Sequence, residues 1–340
     1  MSKSASEAVV IYFLSRRYGT SPRFFPLYNN FRKTDIILFR GSRFPGLDRI
    51  YLKLLPYFII FFRKRLASYE NFIALNSDPR LVVPTNMFLN LDDPTYTTKE
   101  LLELRRWESK VKSLGFNSGI VCTSDYIRKY LESNNLKSNV FVIPQGHSNF
   151  GNLAVKVKTE YDKNINFVYI SPTIDVKGDP KEGHNMWDAS PLLLEIWPKV
   201  SSPNARLHLI GRLGLNAAQS LIDKRIHSYG FLSIEDCTRM LPNFDIALYP
   251  RVHDNGWLPQ KIIEYLGANL PILAFKLVDT QIVSNLNIGW LVESVDEFTH
   301  KIEMLCENRN ILKDFKTNCE TISDSYSWVS LAQQYEDLFY

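Results

Sequence analysis

Strands and helices alternate along this chain, and that alternation fixes the class of fold open to it. Short apolar runs predict strands at Val9–Leu14, Asp35–Phe39, Phe72–Ala74, Leu81–Pro84 (or its extension to Leu89), Gly119–Thr123 and Val140–Ile143. Helices are predicted between them, notably over Leu47–Leu66, Thr98–Leu114 and Asp125–Ser133. The second half repeats the pattern, with strands at Asn166–Ile170, Arg206–Ile210, Ile226–Tyr229, Ile246–Tyr249, Ile272–Phe275 and Gly289–Val292. Such alternation is what a doubly wound α/β protein requires. A chain of 340 residues exceeds one typical core, so two domains are expected, joined at the polar stretch from Gly146 to Asp162. The expected boundaries are 1–150, 151–325 and a closing helix over 326–340.

Composition narrows the class further. Apolar content of 45% and charged content of 22% are those of a soluble globular protein. Cys122, Cys237, Cys306 and Cys319 are scattered without CxxC spacing, and Cys122 and Cys306 stand in apolar contexts. Buried free thiols in a reducing compartment are the expectation, hence a cytoplasmic protein. The six histidines show no HxxxH or HxH spacing, so no metal site and no cofactor are expected. Ala8 to Leu14 is too short an apolar run for a leader, and arginines rather than small residues follow it, which reads as a first strand.

Charge is unevenly shared. Residues 1–150 hold 22 Lys and Arg against 12 Asp and Glu, whereas residues 151–340 hold 18 against 24. The basic excess includes the run Tyr51 to Arg65, aromatic and aliphatic residues capped by Arg63-Lys64-Arg65. That run is shorter than the roughly 20 residues of a transmembrane helix. Two readings fit it: an interfacial helix on an anionic membrane, or a core helix of the first domain with a solvated basic end. Nucleic acid would also suit a basic half, but no zinc-finger, RNP-like or helix-turn-helix signature accompanies it.

The segment from Pro259 to Ala274 carries the most chemistry. It predicts a helix that starts after Pro259, breaks at Asn269 and is followed at once by a buried strand from Pro271 to Phe275. Lys261 and Glu264, three residues apart, share one helix face near its first turns. A lysine for phosphate beside a carboxylate for hydroxyls suits a sugar nucleotide, at a helix end that already favours anions. On spacing alone the pair reads first as a surface ion pair on an ordinary helix.

The pattern K-x-x-E-Y-L-G-x-x-x-P-I over Lys261–Ile272 resembles the donor-site helix of glycosyltransferases with the GT-B fold, most nearly those of family 4. Further pieces fall in that family's order: Ile120–Ile127 with Val140–Gly146 at the domain junction, Phe167–Ile170 leading to Lys177-Gly178, Leu207–Gly211, Tyr229–Phe231 with Leu241–Pro250, and Tyr326–Trp328 before the last helix. The likeness covers residues 120–340, and residues 1–119 follow it in outline only. It implies two Rossmann-like doubly wound domains facing a cleft, with the ligand beyond the carboxyl ends of the strands, and a last helix that crosses back to the first domain.

The resemblance also assigns residues. Lys177 and Gly178 would meet the diphosphate, where positive charge stabilises the leaving group. The family's Arg five residues before that lysine is Pro172 here, and Lys261 would supply the second charge. Glu264 matches the glutamate that holds ribose hydroxyls. The family's other glutamate, eight residues earlier, is replaced by Gly256, which leaves sugar identity and stereochemistry open. Gly211 is read as ending a strand close to the ligand, and Arg212 beside it either reaches phosphate or is solvated. Gly230 and Phe231 would border the base. Arg251 and the loop to Leu258 would flank the donor sugar, with His253, Asp254 and Trp257 as contacts, Trp257 as a stacking face. The cluster from His184 to Asp188 has no motif behind it.

An inverting reaction needs a general base in the first domain. Asp92 and Asp93 follow the apolar run Asn86–Leu91, and neighbours on an extended segment point opposite ways, so at most one serves. Asp93 before Pro94 is equally a turn device, and a retaining enzyme would need no base. The function implied is transfer of a sugar from a nucleotide-diphosphate donor to a glycan or lipid-linked acceptor in polysaccharide or glycoconjugate synthesis. Two alternatives stand beside it: a non-catalytic protein of this fold that binds nucleotide, glycan or a partner enzyme, and a sugar-nucleotide epimerase.

Overall fold

The computed structural model describes residues 8–14, 34–40, 71–76, 86–91, 98–115, 118–147, 163–175, 189–214, 217, 222–253 and 258–339. The predicted helix Leu47–Leu66, the basic run 51–65 within it, and residues 81–84 lie outside these. The chain divides into two compact units, Met1–Pro144 with Trp328–Tyr340, and Gln145–Ser327.

The first unit is built on a six-stranded sheet of β1 (Ala8–Leu14), β2 (Thr34–Arg40), β3 (Asn71–Asn76), β4 (Asn86–Leu91), β5 (Ser118–Cys122) and β6 (Asn139–Val142), in the order β2-β1-β3-β4-β5-β6. Every pair is parallel. Strands of an all-parallel sheet are usually covered on both faces, and β5 shows it, with Ile120, Val121 and Cys122 wholly buried. Helix α1 (Thr98–Ser113) buries Leu101, Leu104, Trp107 and Val111, one face at helical spacing. Helix α2 (Asp125–Ser133) starts at Ser124, whose hydroxyl accepts the Ile127 N–H. Two side chains of α1 fasten the turn that follows: Arg105 donates to Asn134 O, and the Glu108 carboxylate accepts from the Lys137 and Ser138 N–H groups. The last helix, α9 (Trp328–Phe339), buries Trp328, Leu331, Ala332, Tyr335 and Glu336 and belongs to this unit.

The second unit carries β7 (Ile165–Ile174), β8 (Ala205–Leu213), β9 (Ile226–Ser228), β10 (Ile246–Tyr249), β11 (Ile272–Phe275) and β12 (Gly289–Val292), in the order β12-β11-β10-β7-β8-β9, again all parallel. Alternate residues of β10 feed two cores. Ile246 and Leu248 pack with α3 (Ser190–Ile196) and α7 (Val295–Glu307), and Ala247 and Tyr249 pack with α5 (Gln260–Gly267). Among the described residues the remaining α-helices are α4 (Ile234–Met240), α6 (Gln281–Asn285) and α8 (Ile311–Ser323).

In the first unit β3 spans Asn71–Asn76 rather than Phe72–Ala74, and the strand expected at Leu81–Pro84 or on to Leu89 is described as Asn86–Leu91; in the second, two strands run well past their predicted ends. β7 runs on past Ile170 through a bulge to Ile174, and β8 runs through Gly211 to Leu213. Pro172 explains the bulge, because it has no N–H to give the ladder. At the opposite end of the sheet, the wholly buried Asp245 carboxylate accepts from the Asn166 backbone and side-chain nitrogens at 2.9 and 3.1 Å and from Arg309 at 2.8 Å. Lys316 lies 3.7 Å away. Asp245→Asn is expected to lower stability by about 2 kcal/mol, measured by urea denaturation; both cations reach solvent, which keeps the cost below that of a fully enclosed pair.

The four cysteines are free thiols. Cys122 and Cys319 are buried, which pushes them up to about 11 and about 12 and keeps them neutral. Cys306, expected to be buried, is half-exposed.

Candidate functional site

Strand order places the switch point of the second sheet between β7 and β10, since β7 is followed by β8 on one side and β10 flanks it on the other. Ligands of open parallel sheets bind at the carboxyl ends of strands at such a point. Four features converge there: the bulged end of β7, the end of β8, the turn after β9, and helix α5, which follows β10.

The bulge sets the first of these. It brings the Ser171 carbonyl against the α-carbon of Gly211, where a Cβ would stand 2.0 Å from that oxygen. Gly211 N–H in turn donates to Gly230 O at 2.8 Å, tying β8 to the turn after β9. Gly211 therefore does not end its strand, and its bareness serves the approach of a neighbouring strand. Gly230 takes φ +69, a conformation that favours glycine. Arg212, after Gly211, and Phe231, after Gly230, are exposed, Phe231 to 67%.

Helix α5 is fixed to the switch point by Tyr265. The buried phenol accepts the Ile170 N–H at 3.0 Å and donates to Leu248 O at 3.4 Å, so one side chain ties the helix to both strands that flank the point. Burial raises its pKa, keeping it a donor at any ordinary pH. Tyr265→Phe is expected to cost about 1–2 kcal/mol, because it strands the Ile170 N–H; calorimetry on the purified variant gives the number. The helix ends at Asn269, at φ +58, with Leu270 N–H on Tyr265 O and Asn269 N–H on Leu266 O, the paired bonds of a Schellman cap.

At its other end, α5 has no acidic residue in its first turn and no side-chain cap. Lys261 sits there instead, where the helix dipole disfavours a cation. Its ammonium lies 3.4 Å from the Tyr169 hydroxyl and 4.8 Å from the centre of the Tyr169 ring. Tyr169 itself is fully buried in β7, and its hydroxyl also accepts the Ala189 N–H at 3.1 Å. Glu264, half-buried, accepts from Gln260 Nε2 at 2.7 Å. The end of α5 thus presents a lysine at a positive helix terminus and a carboxylate one turn on. That pairing can take an anion and a set of hydroxyl groups together.

Arg251, expected beside the donor sugar, is a buried residue. It is 5% exposed, its guanidinium 3.8 Å from the wholly buried Asp279 carboxylate, and it donates to the Tyr249 hydroxyl at 3.3 Å. His253 is exposed beside it. Asp92, Asp93, Lys177, Gly178, Asp254 and Trp257, and the cluster His184–Asp188, fall outside the described residues. Tyr169, Gln260 and Asp279 were not singled out by sequence. Gln260 stands inside the quoted helix pattern, whereas a tyrosine in an apolar strand and an aspartate in a distant loop carry no local signal. Among the described residues no group of three or more His, Cys, Asp or Glu is placed to hold a metal, and no helix is long and apolar enough to cross a membrane.

No protein-family model and no curated protein sequence matches this chain. Solved structures do. A glycosyltransferase from Rickettsia africae superposes with a TM-score of 0.67 at 11% identity, covering 99% of this chain and 98% of that one. Sucrose-phosphate synthase from Thermosynechococcus elongatus gives 0.64 at 12% identity, over 98% of each chain. The fold is GT-B. WaaG, a glycosyltransferase involved in lipopolysaccharide biosynthesis, matches more loosely, at 0.55 and 10% identity over 98% of this chain and 99% of its own. At these identities the likeness establishes two Rossmann-like domains of the GT-B type.

Proposed function

We propose that this GT-B protein is a glycosyltransferase of the family 4 kind, whose second unit binds a nucleotide-diphosphate sugar at the β7–β10 switch point. The observation that carries the reading is Lys261. A cation in the first turn of α5 is unfavourable for the helix, and Tyr169 holds it at the carboxyl edge of the sheet. A bound diphosphate reverses the sign of that interaction and gains from the helix terminus as well. In transfer, Lys261 and Lys177 stabilise the negative charge that develops on the departing diphosphate, and Glu264 accepts from the ribose hydroxyls. Asp92 or Asp93 takes the acceptor proton if the reaction inverts.

The acceptor in this reading is a glycan or lipid-linked sugar in polysaccharide or glycoconjugate synthesis. The protein works in the cytoplasm, with residues 51–65 against an anionic membrane surface. Pro172 supports a second reading, a protein that binds nucleotide without transfer, since it stands where family 4 has an arginine. The bulge gives that proline a structural reason of its own.

The test is a thermal-shift panel of UDP, GDP, ADP, CMP and dTDP with their common sugar conjugates. A ligand of the folded state alone raises the melting temperature by mass action. A shift with one nucleotide is the expected result, followed by release of that nucleotide diphosphate from its sugar conjugate when acceptor is supplied. No shift across the panel would sink the reading.

A further inference from the structure

We propose that Gln260 is a positioning residue of the donor site, holding the Glu264 carboxylate for the vicinal hydroxyls of a ribose; this rests on the nucleotide-binding reading above. Gln260 opens α5, and its Nε2 donates to Gly146 O at 2.8 Å and to Glu264 Oε1 at 2.7 Å. An amide nitrogen has two protons, and both are used. The flipped amide would turn its oxygen toward two acceptors, so the partners themselves fix the orientation. One oxygen of Glu264 is thereby tied to the backbone of the segment Gln145–His147. That segment is itself anchored, because His147 N–H donates to Tyr326 O at 3.0 Å and its ring Nε2 lies 2.8 Å from Ser323 O.

The same arrangement leaves acceptors over. Gln260 Oε1 is buried without a hydrogen-bond partner, and so is Oε1 of Gln145, a residue 4% exposed that directly precedes Gly146. Buried acceptors of this kind call for a donor. Carbonyl oxygens and a carboxylate accept only, so they select O–H groups and disfavour phosphate. A ligand that spans α5 is therefore expected to lie with its phosphates toward Lys261 and its hydroxyls toward Glu264. A nucleoside diphosphate carries both groups, and its ribose supplies two adjacent hydroxyls.

Affinity for UDP, GDP and ADP is measured against their 2′-deoxy and 3′-deoxy counterparts by calorimetry, on the unaltered full chain and on Gln260→Met and Gln260→Glu. The unaltered protein should prefer the ribonucleotide by about tenfold, the scale of one hydrogen bond to a charged group. Both variants should bring the ratio to within about twofold, while affinity for the deoxy forms stays as it was. A merely structural role for Gln260 would lower all affinities together and leave the ratio intact. That outcome in either folded variant overturns the inference and spares the donor site. Failure of every nucleoside diphosphate to bind the unaltered protein overturns the donor site and this inference with it.

Discussion

Gly211→Ala is expected to destabilise the second unit by about 3 kcal/mol or more, at the upper end of overpacking costs. A Cβ there would stand 2.0 Å from Ser171 O and 3.1 Å from Ser171 C, both backbone atoms that cannot swing aside as a side chain would. Relief requires β7 and β8 to part at the bulge. Gly230→Ala is the comparison that isolates the cause. Its φ of +69 is strained for alanine, but a Cβ there meets nothing within 4 Å, so about 1 kcal/mol is expected from backbone conformation alone. Gly289→Ala supplies the other control: its Cβ would lie 1.9 Å from Ile272 O, far along the sheet toward β12. It should cost as much as Gly211→Ala in urea denaturation. Only Gly211→Ala should also weaken nucleotide binding at temperatures where all three variants are folded, because only it moves the end of β7. Equal loss of binding in Gly211→Ala and Gly289→Ala would separate the bulge from the site.

The elements that sequence placed well are those whose signal is local. Ile246–Tyr249, Ile272–Phe275 and Gly289–Val292 are short apolar runs and fold as read. Asn135, Asn269 and Asn287 each take positive φ at a helix end with an apolar residue after them, so asparagine before leucine or isoleucine marks a stop as glycine would. The misread ends of β7 and β8 share one cause. Ser171-Pro172-Thr173 and Gly211-Arg212 look like loop, and only the pairing of β7 with β8 carries both strands onward through a bulge.

The site shows the same division. Helical spacing puts Lys261 and Glu264 on one face of α5 as read, and it is the family resemblance, not the spacing, that marks them as a donor pair. Arg251, expected to flank the donor sugar, is instead packed inside the second unit at 5% exposure. Its burial depends on Asp279, which arrives from the loop after β11 and could not be paired with it in advance. Tyr265 was visible as a letter of the pattern. Its work, bridging Ile170 and Leu248, required knowing that β7 and β10 are neighbours.

Lys261→Ala should separate function from stability in a single substitution. Removing a cation from the first turn of α5 takes away an unfavourable interaction with the helix dipole, and alanine is the better helix former. What is lost includes the contact with Tyr169, a half-buried cation over a ring. These terms oppose one another, so the melting temperature without nucleotide is expected to stay within a degree or two, on the scale by which a few tenths of a kcal/mol move a domain of this size. Binding has no such compensation. A charge-assisted bond to phosphate is worth about 1.5–3 kcal/mol, so affinity for the nucleoside diphosphate should fall roughly tenfold to a hundredfold. The loss should be the same for ribo and deoxy forms, since the lysine addresses phosphate and not the ribose. Lys276 is the control for charge in general. It stands exposed at the end of β11, 2.6 Å from Glu293, and its replacement changes net charge by the same amount. Lys276→Ala should leave affinity where it was, and raised salt should weaken the unaltered protein more steeply than Lys261→Ala. If both lysine variants bind alike, the anion is held elsewhere, and the first turn of α5 is only an ordinary helix end with a misplaced charge.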